Sequence, residues 1–404
     1  VFVRVFFKDK NRNVFFVECE KTLHRLYLSA HFCHLSSLKS DLSAHFLKIS
    51  AHFAKICLKI HEFCPFIGSF FQFPFREELC YNACMKITLS TNDSLAKVFS
   101  AISPSEEPIH ILLADGEHHG LEHERLFYDF PNPLVIESVS GNASNCALRA
   151  ENCEAFHKDT ENRAVLTFGE KCTSVTLKNF TIENTHVKTC DDASLGNQAE
   201  AICFHCQTGE LFCEGMRFIS RQDTIHVKGI SRFKNCFVTG DVDFIWGYCN
   251  YSVFENCTLH TRADNRGSDR PAFVLQSRAW NAKPGFVFID CDFTADDRGK
   301  NAKIYIGRSQ GTGKPDSVDR WDSIALINCR ISDLYDSALW TDENGTRAVY
   351  PEKGSALCGW REFGTKITHA DGTLSDYDSS LQEKHGYTMT EREKNTLLNF
   401  LQNK

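Results

Sequence analysis

Two aspartates lie in strongly apolar surroundings in the middle of this 404-residue chain. Asp223 stands directly before the strand-forming residue Thr224, and Asp243 lies between Val242 and Phe244. A carboxylate among strand-forming residues must be hydrogen-bonded, ion-paired or functional, because burying it alone is costly. Two such carboxylates, one short strand–turn–strand circuit apart, indicate an acid–base or nucleophile–acid pair. The alternative is a pair of structural turn residues, since aspartate is common in turns.

The composition excludes several classes of protein. A net charge of −7 and a pI near 6.2 argue against a nucleic-acid binder, which would be basic. There is no run of about 18 apolar residues, so no transmembrane helix is predicted. The 19 cysteines are odd in number and often lie in apolar strand positions, which favours free, buried thiols. Such thiols suit a reducing compartment, so we expect a cytoplasmic protein, with secretion as the alternative.

A repeated phrase indicates how the elements around the aspartates are arranged. An Asn-Cys pair closes several short β-rich segments, at Cys236, Cys257 and Cys329, and Cys291 follows a similar segment. The first two of these are 21 residues apart, which is the length of one coil of a solenoid. Stacked coils of a parallel β-helix would align the four cysteines as an interior ladder of thiols, with Met216 at the preceding step.

Residues 1–84 form a different kind of sequence from the remainder. They are crowded with Phe, repeat Ser-Ala-His-Phe irregularly and contain no Met, the first of which is Met85. The irregular spacing does not define a repeating structural unit. We expect 1–84 to be an extension outside the functional fold, and 85–404 to be the catalytic β-helix domain.

Two helices are expected at the ends of this domain. Asp93 is the predicted N-cap of a short N-terminal helix. Thr390 and Glu393 match a capping box, which predicts a C-terminal helix. The β-helix is predicted to run from about Met85 to Asp333 and to be followed by a less regular segment that packs on it. The histidines at 118, 119 and 123 are assigned to a polar loop.

One segment has the residue types of a metal or redox site. Cys203 and Cys206 form a Cys-x-x-Cys pair that also contains His205. No second pair follows at zinc spacing, and the segment continues an apolar run in a β context. A buried strand is therefore the preferred interpretation, and neither a metal nor a cofactor is predicted.

Four separated segments resemble the pectin methylesterase family in order and approximate spacing. They are Gly196–Ile202, Gln222–Ile225, Asp243–Gly247 and Tyr305–Arg308. The intervening Asn-Cys phrases match as well, and the resemblance covers about residues 90 to 404. It implies an all-β fold, a right-handed single-stranded parallel β-helix with an active-site cleft along one face.

The resemblance also implies roles for five residues. Asp243 resembles the nucleophile, Asp223 the acid and base, and Arg308 the guanidinium that pairs with the nucleophile. Gln198 and Gln222 resemble the amides that stabilise the oxyanion. These roles suit the chemistry, because a nucleophilic carboxylate must be ionised and its partner must hold a proton. Neutral amides can donate to an oxyanion without neutralising either carboxylate.

The implied activity is pectinesterase activity, which releases methanol from methyl esters of polygalacturonate in pectin catabolism or cell wall modification. The expected partner is pectin or methylated oligogalacturonides, bound by a monomer with no nucleic acid and no membrane. Trp246, Trp280 and Thr224 are the predicted substrate contacts.

The sequence departs from the family at the predicted sugar platform. Ser309 and Gln310 stand where the family has Pro-Trp, and Trp246 replaces the usual Phe beside the nucleophile. Trp280 or Trp321 is a candidate replacement platform, and both are equally suited to packing. A catalytically weak carbohydrate-binding β-helix, an esterase or thioesterase of different acyl specificity, and a polysaccharide hydrolase or lyase are the alternatives.

Overall fold

The computed structural model describes residues 85–403 apart from 190–195, 268, 277, 281–282, 298–301, 310–319 and 343–356, together with three strands near the N-terminus. The chain divides into two units, Val1–Leu79 and Cys80–Lys404. In the first unit, β1 (Phe2–Phe7) pairs antiparallel with β2 (Phe15–Lys21), which pairs antiparallel with β3 (His24–Arg25). Whether 1–84 is dispensable for the fold stays a prediction.

The second unit is a stack of coils built from short strands. In chain order these are β4 (Met85–Leu89), β5 (Ile109–Leu113), β6 (Gly116–His119), β7 (Leu126–Tyr128), β8 (Leu134–Ser138), β9 (Cys146–Ala150), β10 (Leu166–Phe168), β11 (Ser174–Lys178), β12 (Thr181–Asn184), β13 (Ile202–Phe204), β14 (Glu210–Glu214), β15 (Arg217–Ile219), β16 (Ile225–Lys234), β17 (Phe237–Gly240), β18 (Val242–Glu255), β19 (Thr258–Thr261), β20 (Ala272–Gln276), β21 (Arg278–Trp280), β22 (Gly285–Ile289), β23 (Asp292–Ala295), β24 (Ile304–Arg308), β25 (Arg320–Ile327), β26 (Arg330–Ser332), β27 (Trp340–Thr341), β28 (Gly359–Phe363), β29 (Lys366–Thr368), β30 (Leu374–Asp376) and β31 (Tyr387–Thr388).

The strands form three parallel faces, as expected for a parallel β-helix. Face 1 contains β7, β10, β13, β16, β18, β20, β24 and β27, and face 3 runs from β6 through β9, β12, β15, β17, β19, β23 and β26 to β29. The remaining parallel strands form face 2, which β16 and β18 also reach because these two long strands bend across both faces. The prediction of an all-β parallel β-helix is confirmed.

The repeated Asn-Cys phrase forms the corner between faces 2 and 3. Asn235, Asn256 and Asn328 have φ between 51° and 54°, in the left-handed region that Asn tolerates better than most residues. Each turns the chain so that the following cysteine points into the core. Cys236, Cys257, Cys291 and Cys329 occupy equivalent positions in successive coils, and Met216 precedes them, as predicted. In residues 85–403, as far as they are described, the cysteines are free and buried.

The β-helix continues beyond the predicted end at Asp333. β28 pairs parallel with β25, and β29 pairs parallel with β26, so at least one more coil follows. The corner of that coil is Gly364 (φ 66°), where an added Cβ would lie 2.7 Å from the Asn328 side chain. Because glycine replaces asparagine and Thr365 replaces cysteine, the sequence lacks the repeated phrase at this point.

Two α-helices, both expected, pack on the described coils. Helix α1 (Leu95–Ala101) is capped by Ser94 and not by Asp93, whose carboxylate instead accepts from the backbone and hydroxyl of Ser90. Helix α2 (Glu391–Gln402) has the predicted capping box at Thr390. Among the helices described, none is long and apolar enough to span a membrane.

The histidine-rich segment is the predicted polar loop only in part, because His123 lies in a turn outside the strands but His118 and His119 do not. His118 and His119 belong to β6, which pairs with β9. His118 is buried, and its Nε2 lies 2.8 Å from the Ala114 carbonyl oxygen.

Candidate active site

The two predicted catalytic aspartates lie on neighbouring rungs of face 1. The backbone N–H of Asp223 donates to the carbonyl of Val242, directly before Asp243, at 3.1 Å. Adjacent strands of a sheet are about 4.8 Å apart, so the two residues are next to each other across the ladder. Both have positive φ, 65° for Asp223 and 47° for Asp243. Aspartate and asparagine tolerate left-handed backbone better than most residues, and the Asn corners share it, so the conformation alone does not mark a functional site.

Asp243 is held by two side chains from later coils. Arg308 donates from Nε to Oδ1 at 2.8 Å and from Nη2 to Oδ2. Gln276 adds a bond from Nε2 to Oδ2 at 2.8 Å. Both oxygens of Asp243 accept hydrogen bonds, and a bidentate guanidinium contact favours the ionised carboxylate. The Arg308 guanidinium also lies 4.5 Å from the ring centre of Phe273, which fixes its orientation.

Asp223 is in the opposite electrostatic situation. It is 4% exposed, and its Oδ2 accepts from Arg163 Nη2 at 3.0 Å. Burial raises the pKa of the Asp223 carboxyl well above its ordinary value, Glu200 raises it further, and Arg163 opposes this shift. Within the described residues, Oδ1 of Asp223 is buried without a hydrogen-bond partner. A protonated carboxyl with one oxygen left for a ligand is the arrangement of a general acid.

The two glutamines lie beside the residues that precede the aspartates: Gln222 directly precedes Asp223, and Gln198 is in the coil before it. Gln198 and Gln222 pair in parallel, and Gln222 pairs in turn with Val242. Both side chains are half-buried. The structure thus brings together on one face the five residues predicted for catalysis.

Comparison with known proteins identifies the family. The pectinesterase family model matches residues 144–350, just over half of the chain. This chain belongs to the pectinesterase family. Putative pectinesterase 14 of Arabidopsis thaliana is 27% identical over 243 residues, which cover 57% of this chain and 65% of that relative. The match therefore spans less than two thirds of the relative's own length.

Solved structures of pectin methylesterases share the fold. PemA from Erwinia chrysanthemi aligns with a TM-score of 0.56 at 16% identity, over 77% of this chain and 94% of that chain. A pectin methylesterase in complex with a hexasaccharide aligns with a TM-score of 0.55 at 16% identity, over the same shares. At this identity the likeness establishes the parallel β-helix fold alone.

Three residues of the site were missed in the sequence. Glu200 lies inside the pectinesterase-like segment Gly196–Ile202, and an acidic residue among Ala and Ile carries the same burial signal as Asp223. Arg163 and Gln276 carry no such signal. Arg163 comes from the segment before β10, and Gln276 ends β20, so only the stacking of coils brings them to the aspartates.

Trp246 and Trp280 are partly exposed, as a sugar-binding surface requires, whereas Thr224 is not. Trp246 stacks on His226 with ring centres 4.1 Å apart, and Trp280 lies 6.1 Å from the ring of Tyr248. Thr224 is fully buried, and its hydroxyl donates to a backbone carbonyl at 2.9 Å. The prediction that Thr224 contacts the substrate is therefore wrong, because its side chain is buried in the core.

The segment that replaces the family's Pro-Trp begins with a buried residue. Ser309 is 1% exposed, and its hydroxyl donates to Asp322 at 2.7 Å. Gln310 lies outside the described residues, and so does the side chain of Trp321. A platform at Trp321 stays a prediction.

The Cys-x-x-Cys segment does not bring its two sulfurs together as a ligand pair. Cys203 lies on β13 with its sulfur 3.1 Å from His226 Nδ1, whereas Cys206 bonds to backbone groups. Potential ligand atoms of Cys203, His205 and His226 lie within 4.8 Å of one another. However, Lys228 Nζ is 2.8 Å from His205 Nε2, and its positive charge opposes a second cation there.

Proposed function

We propose that this chain hydrolyses methyl esters of polygalacturonate, in pectin or in methylated oligogalacturonides, to free carboxylates and methanol. The observation that carries the proposal is the pair of neighbouring aspartates with opposite environments. Asp243 accepts a bidentate contact from Arg308, while burial raises the pKa of the Asp223 carboxyl well above its ordinary value. One carboxylate is prepared to attack and the other to give a proton.

In the first step, an oxygen of Asp243 attacks the ester carbonyl carbon. The amides of Gln198 and Gln222 donate to the oxyanion that develops. The bond between the carbonyl carbon and the methoxy oxygen then breaks, and Asp223 gives its proton to that oxygen. Methanol leaves, Asp223 becomes a carboxylate, and the galacturonate is held on Asp243 as an anhydride.

In the second step, Asp223 acts as a base. It takes a proton from a water molecule, whose oxygen attacks the galacturonate carbonyl of the anhydride. The bond to Asp243 breaks, which frees the galacturonate carboxyl and restores the Asp243 carboxylate. Asp223 again carries a proton, and the galacturonic acid formed loses its own proton to solvent.

Trp246 and Trp280 offer apolar ring surface for the sugars of the substrate. Aromatic faces provide large contact area at low cost in side-chain entropy. The hexasaccharide complex of a structurally similar pectin methylesterase supports an oligosaccharide substrate.

A catalytically weak carbohydrate-binding β-helix is the second candidate. The observation that favours it is the buried Ser309, which donates to Asp322 where the family has the first residue of Pro-Trp. Gln310 stands where the family has the Trp of Pro-Trp, and loss of that stacking ring weakens substrate positioning, which contributes much of the rate of such reactions.

Methanol release decides between the two candidates. The protein should release methanol from methylated polygalacturonate and from short methylated oligogalacturonides, with catalytic turnover. Saturable binding of both substrates without methanol release would favour the binding candidate. Turnover of other acyl esters or thioesters, with methylated substrates left intact, would contradict the proposed substrate.

A further inference from the structure

A buried ion pair lies beside the proposed general acid. Arg163 Nε lies 2.9 Å from both carboxylate oxygens of Glu200, and Nη2 lies 2.8 Å from Glu200 Oε1. The same Nη2 donates to Asp223 Oδ2 at 3.0 Å. Glu200 has no exposed surface, and the Arg163 side chain is 6% exposed. One guanidinium thus joins a structural carboxylate to a catalytic one.

The geometry shows which of these groups carry charge. Both oxygens of Glu200 accept N–H bonds from Arg163, which is the geometry of an ionised carboxylate. Burial raises the pKa of Glu200 above its ordinary value, and the contacts with Arg163 oppose this shift without cancelling it. Burial lowers the pKa of Arg163, but its carboxylate neighbours outweigh this effect, so the net shift is upward. Because both oxygens of Glu200 accept from Arg163, we infer that Glu200 is ionised and that Arg163 and Glu200 form a pair without net charge.

We propose that Glu200 is a positioning residue that holds Arg163 as a charge-compensated hydrogen-bond donor to Asp223. The inference rests on the proposed function, in which Asp223 is the general acid. A guanidinium without a paired carboxylate at this distance would lower the pKa of Asp223, and Asp223 would lose the proton that it must donate. Without any donor, the carboxylate formed when methanol departs would be buried and unpaired, which is costly. Because Glu200 balances its charge, Arg163 can leave the proton on Asp223 and still donate a hydrogen bond to the carboxylate that forms.

The two oxygens of Asp223 then have separate tasks. Oδ2 keeps its bond from Arg163 in both protonation states. Oδ1, which has no hydrogen-bond partner among the described residues, is the oxygen that gives the proton to methanol and takes one from water. The Arg163–Glu200 pair itself exchanges no proton.

The effect of Glu200 on the pKa of Asp223 must be separated from the effects of other charged groups near Asp223 and Arg163. Among the described residues, the other titratable groups that face Asp223, Arg163 or Glu200 are Asp243, Arg308, Glu154, His226 and Cys203. Burial raises the pKa of the Cys203 thiol well above its ordinary value. Asp243 and Arg308 form a close pair whose charges oppose each other at Asp223. Burial keeps His226 neutral by lowering its pKa. Glu154 lies 3.9 Å from Arg163 Nη1 without a bidentate contact, so it is the matched control.

The pH dependence of kcat/KM tests the proposal. It reports the acid of the free enzyme, and activity falls as pH rises through the pKa of that acid. Glu200→Gln leaves the positive charge of Arg163 uncompensated beside Asp223. We expect the alkaline limb to move down by about 1–3 pH units, the usual effect of an opposite charge on an aspartate. Glu154→Gln should move it much less. Equal shifts in the two variants, or no shift in Glu200→Gln, would overturn the proposal.

A second readout does not depend on turnover. The infrared band of the protonated Asp223 carboxyl, identified by its loss in Asp223→Asn, can be titrated without substrate. Its midpoint should fall in Glu200→Gln by the same amount as the alkaline limb, and an unchanged midpoint would contradict the proposal. If the wild type releases no methanol but the midpoint still falls in Glu200→Gln, the proposed function is refuted, and only the charge compensation of Arg163 by Glu200 is supported.

A double variant covers the case in which Glu200→Gln does not fold. Arg163→Met with Glu200→Met removes both charges together, and apolar residues often replace a buried ion pair without loss of stability. The infrared midpoint of Asp223 should then rise, because the ionised form loses its donor. A midpoint that stays at the wild-type value would overturn the proposal.

Discussion

At the scale of single residues, the sequence reveals groups whose own neighbours make them unusual. Asp223 and Asp243 stand out because each is a carboxylate in an apolar strand context, and the structure places both in left-handed backbone. Arg163 has no unusual neighbours, and its contact with Asp223 joins residues 60 positions apart. Such a contact depends on coil register, which a short stretch of sequence does not encode.

The bidentate contact of Arg308 gives a prediction at this scale. Arg308→Lys keeps the charge but cannot make two parallel bonds to Asp243. Loss of one charged hydrogen bond is worth about 1.5–3 kcal/mol, so kcat/KM for methyl ester hydrolysis should fall about 10- to 150-fold. Arg330→Lys makes the same change in a bidentate pair with Asp292 on face 3, and it should leave kcat/KM unchanged. Equal losses in the two variants would contradict the assigned role of Arg308.

At the scale of elements, signals that combine residue type with fixed spacing predict structure well. The Asn-Cys corners and the capping box of helix α2 are such signals, and both are confirmed. The first helix also forms, but its cap moves by one residue because Ser90 satisfies the carboxylate of Asp93. The last coil was missed because Gly364 satisfies the same backbone requirement as asparagine with a different residue.

Helix α2 gives a prediction at the scale of elements. Thr390→Ala removes the hydroxyl that accepts from the N–H of Glu393, which should destabilise the helix by about 1 kcal/mol. Leu397 and Leu401 bury this helix against the coils, so the urea midpoint of unfolding should fall. The control is Thr396→Ala, an exposed threonine within the same helix, which should change the midpoint little. A larger fall for Thr396→Ala would contradict the role of the cap.

At the scale of the whole molecule, repetition makes the fold predictable and the site less so. The strands of each coil pair with those of the next coil. A repeat seen in a few coils therefore predicts the architecture of the described part of 85–403. The site combines residues from several coils, and the repeat does not say which of them meet. The assignment of 1–84 as an extension outside this fold stays a prediction.

The central claim is that Asp243 and Asp223 act together as nucleophile and acid. Replacing either aspartate with asparagine preserves its shape and removes the charge or the proton that the reaction needs. Each variant should lower methanol release from methylated polygalacturonate by on the order of 10⁴-fold or more, and the double variant should be little worse, because the two residues act as a unit. Asp290→Asn is the matched control, since Asp290 also has left-handed backbone, with φ of 53°.

The decisive measurement is therefore the rate of methanol release by Asp243→Asn beside wild type and Asp290→Asn. We expect normal release by Asp290→Asn, whose position is occupied by asparagine in neighbouring coils, and near-complete loss in Asp243→Asn. Near-normal release by a correctly folded Asp243→Asn would contradict the account.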